Sequence, residues 1–326
     1  MSDSHVQRAS RVPAADSVPT RGEISGPSVC DALRRAARAL VPTSTTPRLD
    51  AEVLLAHVLS LRRAQLYVRW NDPLGSAAVE RYSGLVQRRV AHEPVAYLVG
   101  KRCFYDVHLY VDRRVLIPRP ETELLAEEAL SWARARSGRP FRAVDVGTGS
   151  GALAIILAQH LPRAQVWAVD LSTEAVRVAK RNLRLHGLGA RVNLVCGDLL
   201  TSLSGPFQLI LANMPYIATK ALSGLTADII AFEPRLALDG GQDGLDSIRR
   251  LLAQCPDRLA RPGLILLEIG DGQGQTVCDV ARNYLPHAEI TVCRDYAGLE
   301  RVVRVERHAP TGSDSVSPRT IVEDAL

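Results

Sequence analysis

A strand, a glycine loop and a helix follow one another between residues 143 and 161, and no other feature constrains the fold as strongly. The mainly apolar run 143–146 leads into Gly147, Gly149 and Gly151, and an apolar helix pattern follows at 153–161. Glycines let the backbone approach a ligand closely, and a helix N-terminus directs N–H groups at it, which suits a carboxylate or a phosphate. The unit predicts an α/β protein that binds its ligand where a strand ends.

The spacing of these glycines separates two ligand classes. A nicotinamide-binding Rossmann domain carries G-x-G-x-x-G, whereas the order here is G-x-G-x-G and position 152 is Ala. The loop alone is compatible with either class. The spacing argues against a dinucleotide.

Two further predicted strands end in acids. The strand Gln165–Val169 is followed by Asp170, about twenty residues after the loop, where an acid binds ribose hydroxyls in nucleotide-binding sheets. The strand Arg191–Cys196 is followed by Asp198, whose carboxylate is able to accept from an adenine amino group. Either acid alone could be a helix cap or a turn residue. The ordered series favours S-adenosylmethionine as the ligand.

A fourth predicted strand, Phe207–Ala212, leads into Asn213, Met214, Pro215 and Tyr216. The Asn213 side-chain oxygen and the Met214 carbonyl offer two acceptors for a planar NH2 group. Pro215 disfavours the helical region for the residue before it, and Tyr216 supplies a flat face for packing. We interpret the four residues as the catalytic and substrate-binding clamp of a methyltransferase acting on nitrogen. The alternative is a strand that ends in an Asx/Pro turn with a core tyrosine.

The clamp suits direct methyl transfer to an amide or aromatic amino nitrogen, and no general base is demanded. Positioning is expected to supply most of the acceleration, on the order of 7–11 kcal/mol. Two other functions stay open: an N6-adenine methyltransferase acting on DNA or RNA, and a non-catalytic protein that keeps the cofactor fold. Against the first, the helical part shows no basic stripe interleaved with aromatic residues.

Composition limits the class of protein. The six cysteines are scattered without CxxC spacing, which predicts a reducing compartment and neither a metal site nor a disulfide framework. The sequence contains no run of 18 apolar residues and no apolar segment near its N-terminus, so we expect a cytoplasmic protein. The net charge of +5 is small for 326 residues and identifies no partner.

The chain is predicted to have five parts. They are a disordered tail at 1–27, a helical domain at 28–92, a hairpin or extended linker at 93–119, a methyltransferase domain at 120–308 and a second disordered tail at 309–326. Within the methyltransferase domain a helix should begin at Ser172 and end at Gly187. Three more strands are expected at Leu264–Ile269, Glu289–Val292 and Val302–Val305.

Short motifs occur in a fixed order between residues 28 and 307. They are Arg48-Leu49-Asp50-Ala51-Glu52, Leu54-Leu55, Glu93-Pro94-Val95-Ala96-Tyr97-Leu98-Val99-Gly100, Ile117-Pro118-Arg119-Pro120-Glu121-Thr122-Glu123, the glycine loop, the clamp, Glu233-Pro234, Gly240-Gly241, Asp243-Gly244-Leu245 and Leu267-Glu268-Ile269-Gly270. This set resembles the release-factor glutamine N5-methyltransferases, the HemK/PrmC family. The resemblance implies a Rossmann-like class I methyltransferase with a seven-stranded sheet, and a small N-terminal helical domain that recognises a protein substrate.

The resemblance also implies the reaction and its partners. The acceptor is the glutamine side chain in the Gly-Gly-Gln loop of class 1 peptide chain release factors. We expect a monomer that binds no nucleic acid. The predicted cofactor-binding residues are Asp145, Gly147, Thr148, Gly149, Ser150, Gly151, Asp170, Asp198, Leu199 and Asn213.

The sequence leaves two roles open for each residue around the predicted substrate entrance. By resemblance Arg119 and Glu121 line it, and Arg119 belongs to the predicted substrate-binding set with the four clamp residues; a structural ion pair is the alternative. Glu233 and Asp243 either touch the substrate or shape a loop. The glycines at 240, 241 and 244 could serve turn chemistry only.

The clamp departs from the family at one residue. The family reads Asn-Pro-Pro-Tyr, and Met214 stands where its first proline is expected. Met keeps the backbone carbonyl and loses the restriction on φ. We expect activity to survive with a less rigid clamp and slower turnover. A diverged paralogue with another acceptor is the alternative.

Overall fold

The structure is a computed structural model that describes residues 26–136 and 140–309. Both predicted tails therefore lie mostly outside the described residues. The described chain divides into two compact units between Val90 and Ala91. Within the described ranges no helix is long and apolar enough to cross a membrane.

The first unit is a bundle of helices. They are α1 (Val29–Leu40), α2 (Pro47–Leu59), α3 (Arg63–Val68) and α4 (Ser76–Val90). The Ser28 hydroxyl caps α1 by accepting from the Asp31 N–H at 3.1 Å, and Pro47 occupies the first turn of α2, where its missing N–H costs no hydrogen bond. The helices α1, α2 and α4 pack on one another, as the apolar periodicity of this region predicts.

A buried ion pair lies inside this bundle. Arg89 Nε donates to Asp50 Oδ2 at 2.8 Å, and both residues are buried. The hydroxyls of Ser44 and Thr46 donate to the same carboxylate at 2.7 and 3.2 Å. Asp50 therefore joins the loop before α2 to the end of α4.

The second unit begins with α5 (Val95–Val99) and a two-stranded antiparallel sheet of β1 (Arg102–Phe104) and β2 (Val107–Leu109). This is the hairpin that the alternating residues of the region predict. Tyr97 ties α5 to the segment after the hairpin, because its hydroxyl donates to the Val115 carbonyl at 2.6 Å.

The rest of the second unit is a sheet with helices on both faces. Its elements are α6 (Glu123–Ala135), β3 (Phe141–Val146), α7 (Ala152–His160), β4 (Ala164–Asp170), α8 (Thr173–Leu185), β5 (Val192–Cys196), β6 (Phe207–Ala212), α9 (Ala227–Phe232), α10 (Asp246–Arg258), β7 (Leu259–Glu268), α11 (Gly274–Tyr284), β8 (Glu289–Arg294) and β9 (Glu300–Arg307). The seven strands stand in the order β5-β4-β3-β6-β7-β9-β8. In the described part of the chain, β9 alone runs opposite to the other six strands, so its pairings with β7 and β8 are antiparallel. The seven-stranded α/β sheet that the resemblance implies is confirmed.

Alternate strand residues build a separate core on each face. In β7, Leu264 and Leu266 join the core under α6, α7 and α8, whereas Ile265 and Leu267 join the core under α10 and α11. Because both faces are covered, the parallel strands read as continuous apolar runs rather than as alternating ones. The sequence analysis accordingly predicted all five of the parallel strands β3 to β7.

The helices and strands begin and end within a few residues of the bounds predicted from the sequence. The helix α8 begins after Ser172, whose hydroxyl accepts from the Ala175 N–H at 3.2 Å, and Gly187 follows its end with φ +69°. The strand β7 begins at Leu259, earlier than the predicted Leu264. The charged Arg261 and the following Pro262 interrupt the apolar pattern there, so the first part of the strand was not recognisable from sequence.

Replacing Asp50 by Ala should lower the free energy of unfolding by about 3–5 kcal/mol, because Arg89 would stay buried without its partner. Urea unfolding followed by circular dichroism measures the change. Asp72→Ala is the matched control, since Asp72 is an exposed residue of the same unit. A loss below about 1 kcal/mol at Asp50 would show that the pair is not needed.

Candidate active site

Four strand ends meet at one edge of the sheet. The parallel registers pair Val146 with both Val169 and Ala212, and Asp170 with Cys196. The residues that follow these positions therefore stand side by side. They line one cavity together with residues from the neighbouring loops: Arg114, Val115, Leu116, Pro118, Thr122, Asp145, Val146, Gly147, Thr148, Gly149, Ser150, Ala152, Leu153, Val169, Asp170, Leu171, Ser172, Ala175, Gly197, Asp198, Leu199, Asn213, Met214, Pro215, Pro234, Leu236, Ala237, Ser247 and Arg250.

The glycine loop needs glycine for conformation and for space. Gly147, Gly149 and Gly151 have φ of +72°, +54° and +83°, which other residues rarely adopt. A Cβ on Gly151 would lie 3.3 Å from the Cβ of Ala179 on α8, and one on Gly147 would lie 3.3 Å from the sulfur of Met214. The loop is thus packed between α8 and the clamp. A carboxylate-bearing ligand fits this loop, because α7 begins directly after it.

Asp145 anchors the loop from inside the sheet. Its Oδ2 accepts from the Thr148 hydroxyl at 2.6 Å and from the Ala154 N–H at 3.2 Å. Burial raises the pKa of Asp145 to about 6, and the two hydrogen bonds oppose that rise. The carboxylate joins the loop to the first turn of α7; direct contact with the cofactor stays a prediction.

Asp170 holds the opposite side of the loop. Its Oδ2 accepts from the Gly149 N–H at 2.8 Å, and its Oδ1 accepts from the Ser172 N–H at 2.9 Å. Burial raises the pKa of Asp170, and both bonds lower it. Each oxygen has a second lone pair, so the carboxylate keeps acceptor capacity for ribose hydroxyls at the cavity wall.

The predicted adenine acid has a partner from a distant helix. Arg250, on α10, donates to Asp198 Oδ2, and both side chains line the cavity. Leu199 follows with φ +50° and is buried at the same wall. Arg250 was not recognised from sequence, because 52 residues separate it from Asp198.

The clamp is held in a defined orientation. Asn213 Nδ2 donates to the Thr122 hydroxyl oxygen at 3.0 Å, which leaves Asn213 Oδ1 as the open acceptor. Met214 and Pro215 line the cavity beside it, and the Met214 side chain is buried in the core with Val146. That Asn213 Oδ1 and the Met214 carbonyl together accept from a substrate NH2 group stays a prediction.

Glycines of the 238–244 loop support the clamp backbone. A Cβ on Gly240 would lie 2.6 Å from the Pro215 carbonyl oxygen, and one on Gly244 would lie 2.3 Å from that of Tyr216. Only glycine permits such an approach. The family's glycines in this loop therefore serve close packing against the clamp as well as turn geometry.

Tyr216 is anchored away from the cavity. Its hydroxyl donates to Glu268 Oε1 at 3.3 Å, and its carbonyl accepts from Gln273 Nε2 at 3.0 Å. Burial raises the pKa of Tyr216, and the nearby Glu268 raises it further. Tyr216 is not among the residues that line the cavity, so its role as a packing face for the substrate stays a prediction.

Arg119 forms the ion pair that the sequence left as the alternative. Arg119 Nη2 lies 2.5 Å from Glu233 Oε1, and the Ile117 N–H donates to Glu233 Oε2 at 3.2 Å. Burial raises the pKa of Glu233, and Arg119 lowers it. Neither Arg119 nor Glu121 lines the cavity. Asp243 is paired with Arg249 on the surface, where Arg249 Nη1 donates to it at 2.8 Å.

Two residues that sequence reasoning gave no role contact the clamp. Thr122 binds the Asn213 amide, and the buried Glu268 binds the Tyr216 hydroxyl. Both residues belong to motifs on which the family resemblance rests. The motifs indicated that these positions matter, but they did not show which residues Thr122 and Glu268 contact. Their contacts join residues 91 and 52 positions apart.

A seven-stranded sheet in this order, with a glycine loop after β3 and acids after β4 and β5, defines a class I S-adenosylmethionine-dependent methyltransferase. Two family models match the chain, PrmC N-terminal domain over residues 31–100 and Methyltransferase small domain over residues 122–242. The release factor glutamine methyltransferase of Moorella thermoacetica is 46% identical over 78% of this chain and 89% of its own length. That of Deinococcus radiodurans is 42% identical over 85% and 96%. The chain belongs to the release factor glutamine methyltransferase family.

Asp170→Ala should weaken S-adenosylmethionine binding about 10- to 100-fold, because the glycine loop loses an anchor and the ribose loses an acceptor. Isothermal titration calorimetry measures the dissociation constant. Asp257→Ala, at an exposed position of α10, is the control and should leave binding unchanged. Unaltered affinity in the Asp170 variant would remove this residue from the cofactor site.

Proposed function

We propose that this chain transfers a methyl group from S-adenosylmethionine to N5 of the glutamine in the Gly-Gly-Gln loop of class 1 peptide chain release factors. The observation that carries the proposal is the orientation of Asn213. Its Nδ2 is engaged by Thr122 at 3.0 Å, so that Oδ1 remains to accept from the substrate amide. Family membership supports the same acceptor.

The clamp is suited to an amide nitrogen, which is a poor nucleophile. The amide lone pair is delocalised into the carbonyl, and it localises on nitrogen only as the new bond forms. Two acceptors, Asn213 Oδ1 and the Met214 carbonyl, hold both amide hydrogens and favour that localised form. Bound S-adenosylmethionine supplies the methyl group from its sulfonium. The S–CH3 bond breaks as the N–CH3 bond forms, and the sulfonium leaves as a neutral thioether. No residue needs to act as a general base, since the nitrogen becomes acidic only as it is methylated and then loses one proton to water.

Further properties complete the proposal. The helical region 28–92 recognises the release factor. The cofactor contacts are made by the residues of the glycine loop together with Asp170, Asp198 and Leu199. The enzyme acts as a cytoplasmic monomer and binds no nucleic acid.

Asn213→Ala should abolish methylation of the release factor, with a loss of at least about 100-fold in kcat, because one of the two amide acceptors is removed. Transfer of label from methyl-labelled S-adenosylmethionine to purified release factor measures the rate. Cofactor affinity, measured by calorimetry, should change little. Near-normal turnover would contradict the role of Asn213.

Two controls separate the proposed substrate from others. Asn193→Ala removes an exposed asparagine of β5 and should leave activity intact. A release factor with Gln→Ala in its Gly-Gly-Gln loop should accept no label. Label on DNA or RNA instead of on the release factor would establish the adenine methyltransferase alternative.

Met214→Pro should raise kcat, by up to about tenfold, because the ring restricts the backbone that carries the acceptor carbonyl. The change costs no backbone hydrogen bond, since in the described ranges the Met214 N–H has no backbone acceptor. Met214→Leu is the control that keeps the side-chain volume and leaves φ unrestricted. A slower Met214→Pro enzyme would contradict the expectation that a more rigid clamp is faster.

A further inference from the structure

A second cavity lies at the opposite end of β7 from the clamp. Its volume is about 390 Å³, which is in the range of small-molecule sites. The strand begins beside this cavity at Leu259 and ends at Glu268, so about 20–30 Å of extended backbone separates the cavity from the clamp. None of the residues that line it also lines the cofactor cavity. The proposed function gives this second cavity no role.

The charged side chains around the second cavity are all basic. Arg261 on β7 and Arg307 on β9 line it, together with His287 and His308. No carboxylate of the described chain is part of the lining. Glu289 is engaged beside it by His308, whose Nε2 lies 2.9 Å from Glu289 Oε2. The two guanidinium charges are therefore left without a neutralising partner at the cavity wall.

Arg307 is held in a fixed orientation. Its Nη1 donates to the Pro256 carbonyl at 3.1 Å and to the Leu259 carbonyl at 2.9 Å. These contacts cap the end of α10, and capping is the structural explanation of this residue. It accounts for only one nitrogen of the guanidinium. Nε and Nη2 carry three more N–H groups, for which the described chain provides no acceptor, and a fixed planar fork of donors suits an oxyanion.

The two arginines repel each other across the cavity. Burial lowers the pKa of Arg307 below its usual value, and the positive charge of Arg261 lowers it further. Like charges that are held close together disfavour the charged forms of both groups. An anion bound between the two guanidinium groups would remove this repulsion and would accept from the free N–H groups.

We propose that this cavity binds a small phosphate monoester, whose phosphate group lies between Arg261 and Arg307. A phosphate monoester is close to a dianion at neutral pH and therefore matches both charges, whereas a carboxylate neutralises only one. Its oxygens fit the guanidinium fork. Tyr284 and Leu285 line the same cavity and provide an aromatic and apolar wall for the organic part of the ligand.

The shape of the site favours a small molecule over RNA. Proteins that bind single-stranded nucleic acid use a positively charged groove that follows the backbone, with aromatic side chains on which successive bases stack. Here two arginines converge on one bounded cavity, and Tyr284 is the one aromatic ring among the described residues that line it. Each phosphate inside an RNA chain also carries only one charge. A terminal phosphate therefore matches the two arginines better than a phosphodiester.

The test is isothermal titration calorimetry of the full chain with uridine 5′-monophosphate. The protein is first saturated with S-adenosylhomocysteine, the demethylated cofactor, so that no nucleotide enters the cofactor cavity. We expect a dissociation constant on the order of 0.1–1 mM. Inorganic phosphate should bind more weakly, because it makes no contact with the apolar wall. Uridine, which has no phosphate, should show no binding.

Variants of the two arginines locate the binding site. Arg261→Gln should weaken binding of uridine 5′-monophosphate at least about tenfold, because it removes one charge-assisted contact. Arg307→Lys keeps the charge but loses the planar fork, so we expect a loss of about tenfold here as well. Arg282→Gln is the matched control and should bind like wild type, since Arg282 pairs with Asp279 at 2.6 Å and does not line the cavity. Thermal unfolding followed by circular dichroism shows whether each variant is folded.

Each other outcome overturns the inference. Wild-type protein that binds no uridine 5′-monophosphate up to 10 mM contradicts it, and so does a folded Arg261→Gln variant with unchanged affinity. Uridine that binds as tightly as its monophosphate would show that the phosphate is not recognised. An oligouridylate without a terminal phosphate that binds more tightly than the monophosphate would identify an RNA surface instead. The readout is binding and not methyl transfer, so all of these results leave the proposed function standing.

Discussion

The parallel backbone ladder that joins β4, β3, β6 and β7 is the constraint on which the rest of the structure depends. Its register determines that Val146, Val169 and Ala212 stand level, and that the residue after each of them opens onto one cavity. A shift of one residue would turn every side chain to the opposite face and would move Asn213 away from the glycine loop. The buried apolar side chains on both faces of the sheet oppose such a shift. Site geometry is thus a consequence of strand pairing.

Three buried carboxylates lie at the strand ends that this register brings together. Asp145, Asp170 and Glu268 each end or nearly end a strand, and burial raises the pKa of each. Asp145 and Asp170 are compensated by backbone and hydroxyl donors, and they hold the glycine loop in place. Glu268 is only partly compensated, which leaves it sensitive to protonation. The donors that offset the cost of burying Asp145 and Asp170 are thus the same groups that fix the glycine loop.

The clamp packs closely against the glycine loop on one side and against the 238–244 loop on the other. The Met214 sulfur lies where Gly147 leaves room for it, and the carbonyls of Pro215 and Tyr216 lie where Gly240 and Gly244 leave room for them. A proline at position 214 would restrict the backbone and would remove the sulfur from this contact. We therefore expect the effect of residue 214 on turnover to depend on the balance between backbone restriction and side-chain packing.

The sequence by itself determined the strand–glycine loop–helix unit, the acids after the next two strands, the clamp and the family, because these depend on local patterns and on residue order. It could not determine that Arg119 pairs with Glu233, that Arg250 pairs with Asp198, or that Thr122 and Glu268 contact the clamp. Such contacts join residues 52 to 114 positions apart. They arise only when the sheet register and the packing of α6 and α10 bring distant segments within hydrogen-bonding distance. Local propensity carries no information about that distance, so the tertiary structure alone decided it.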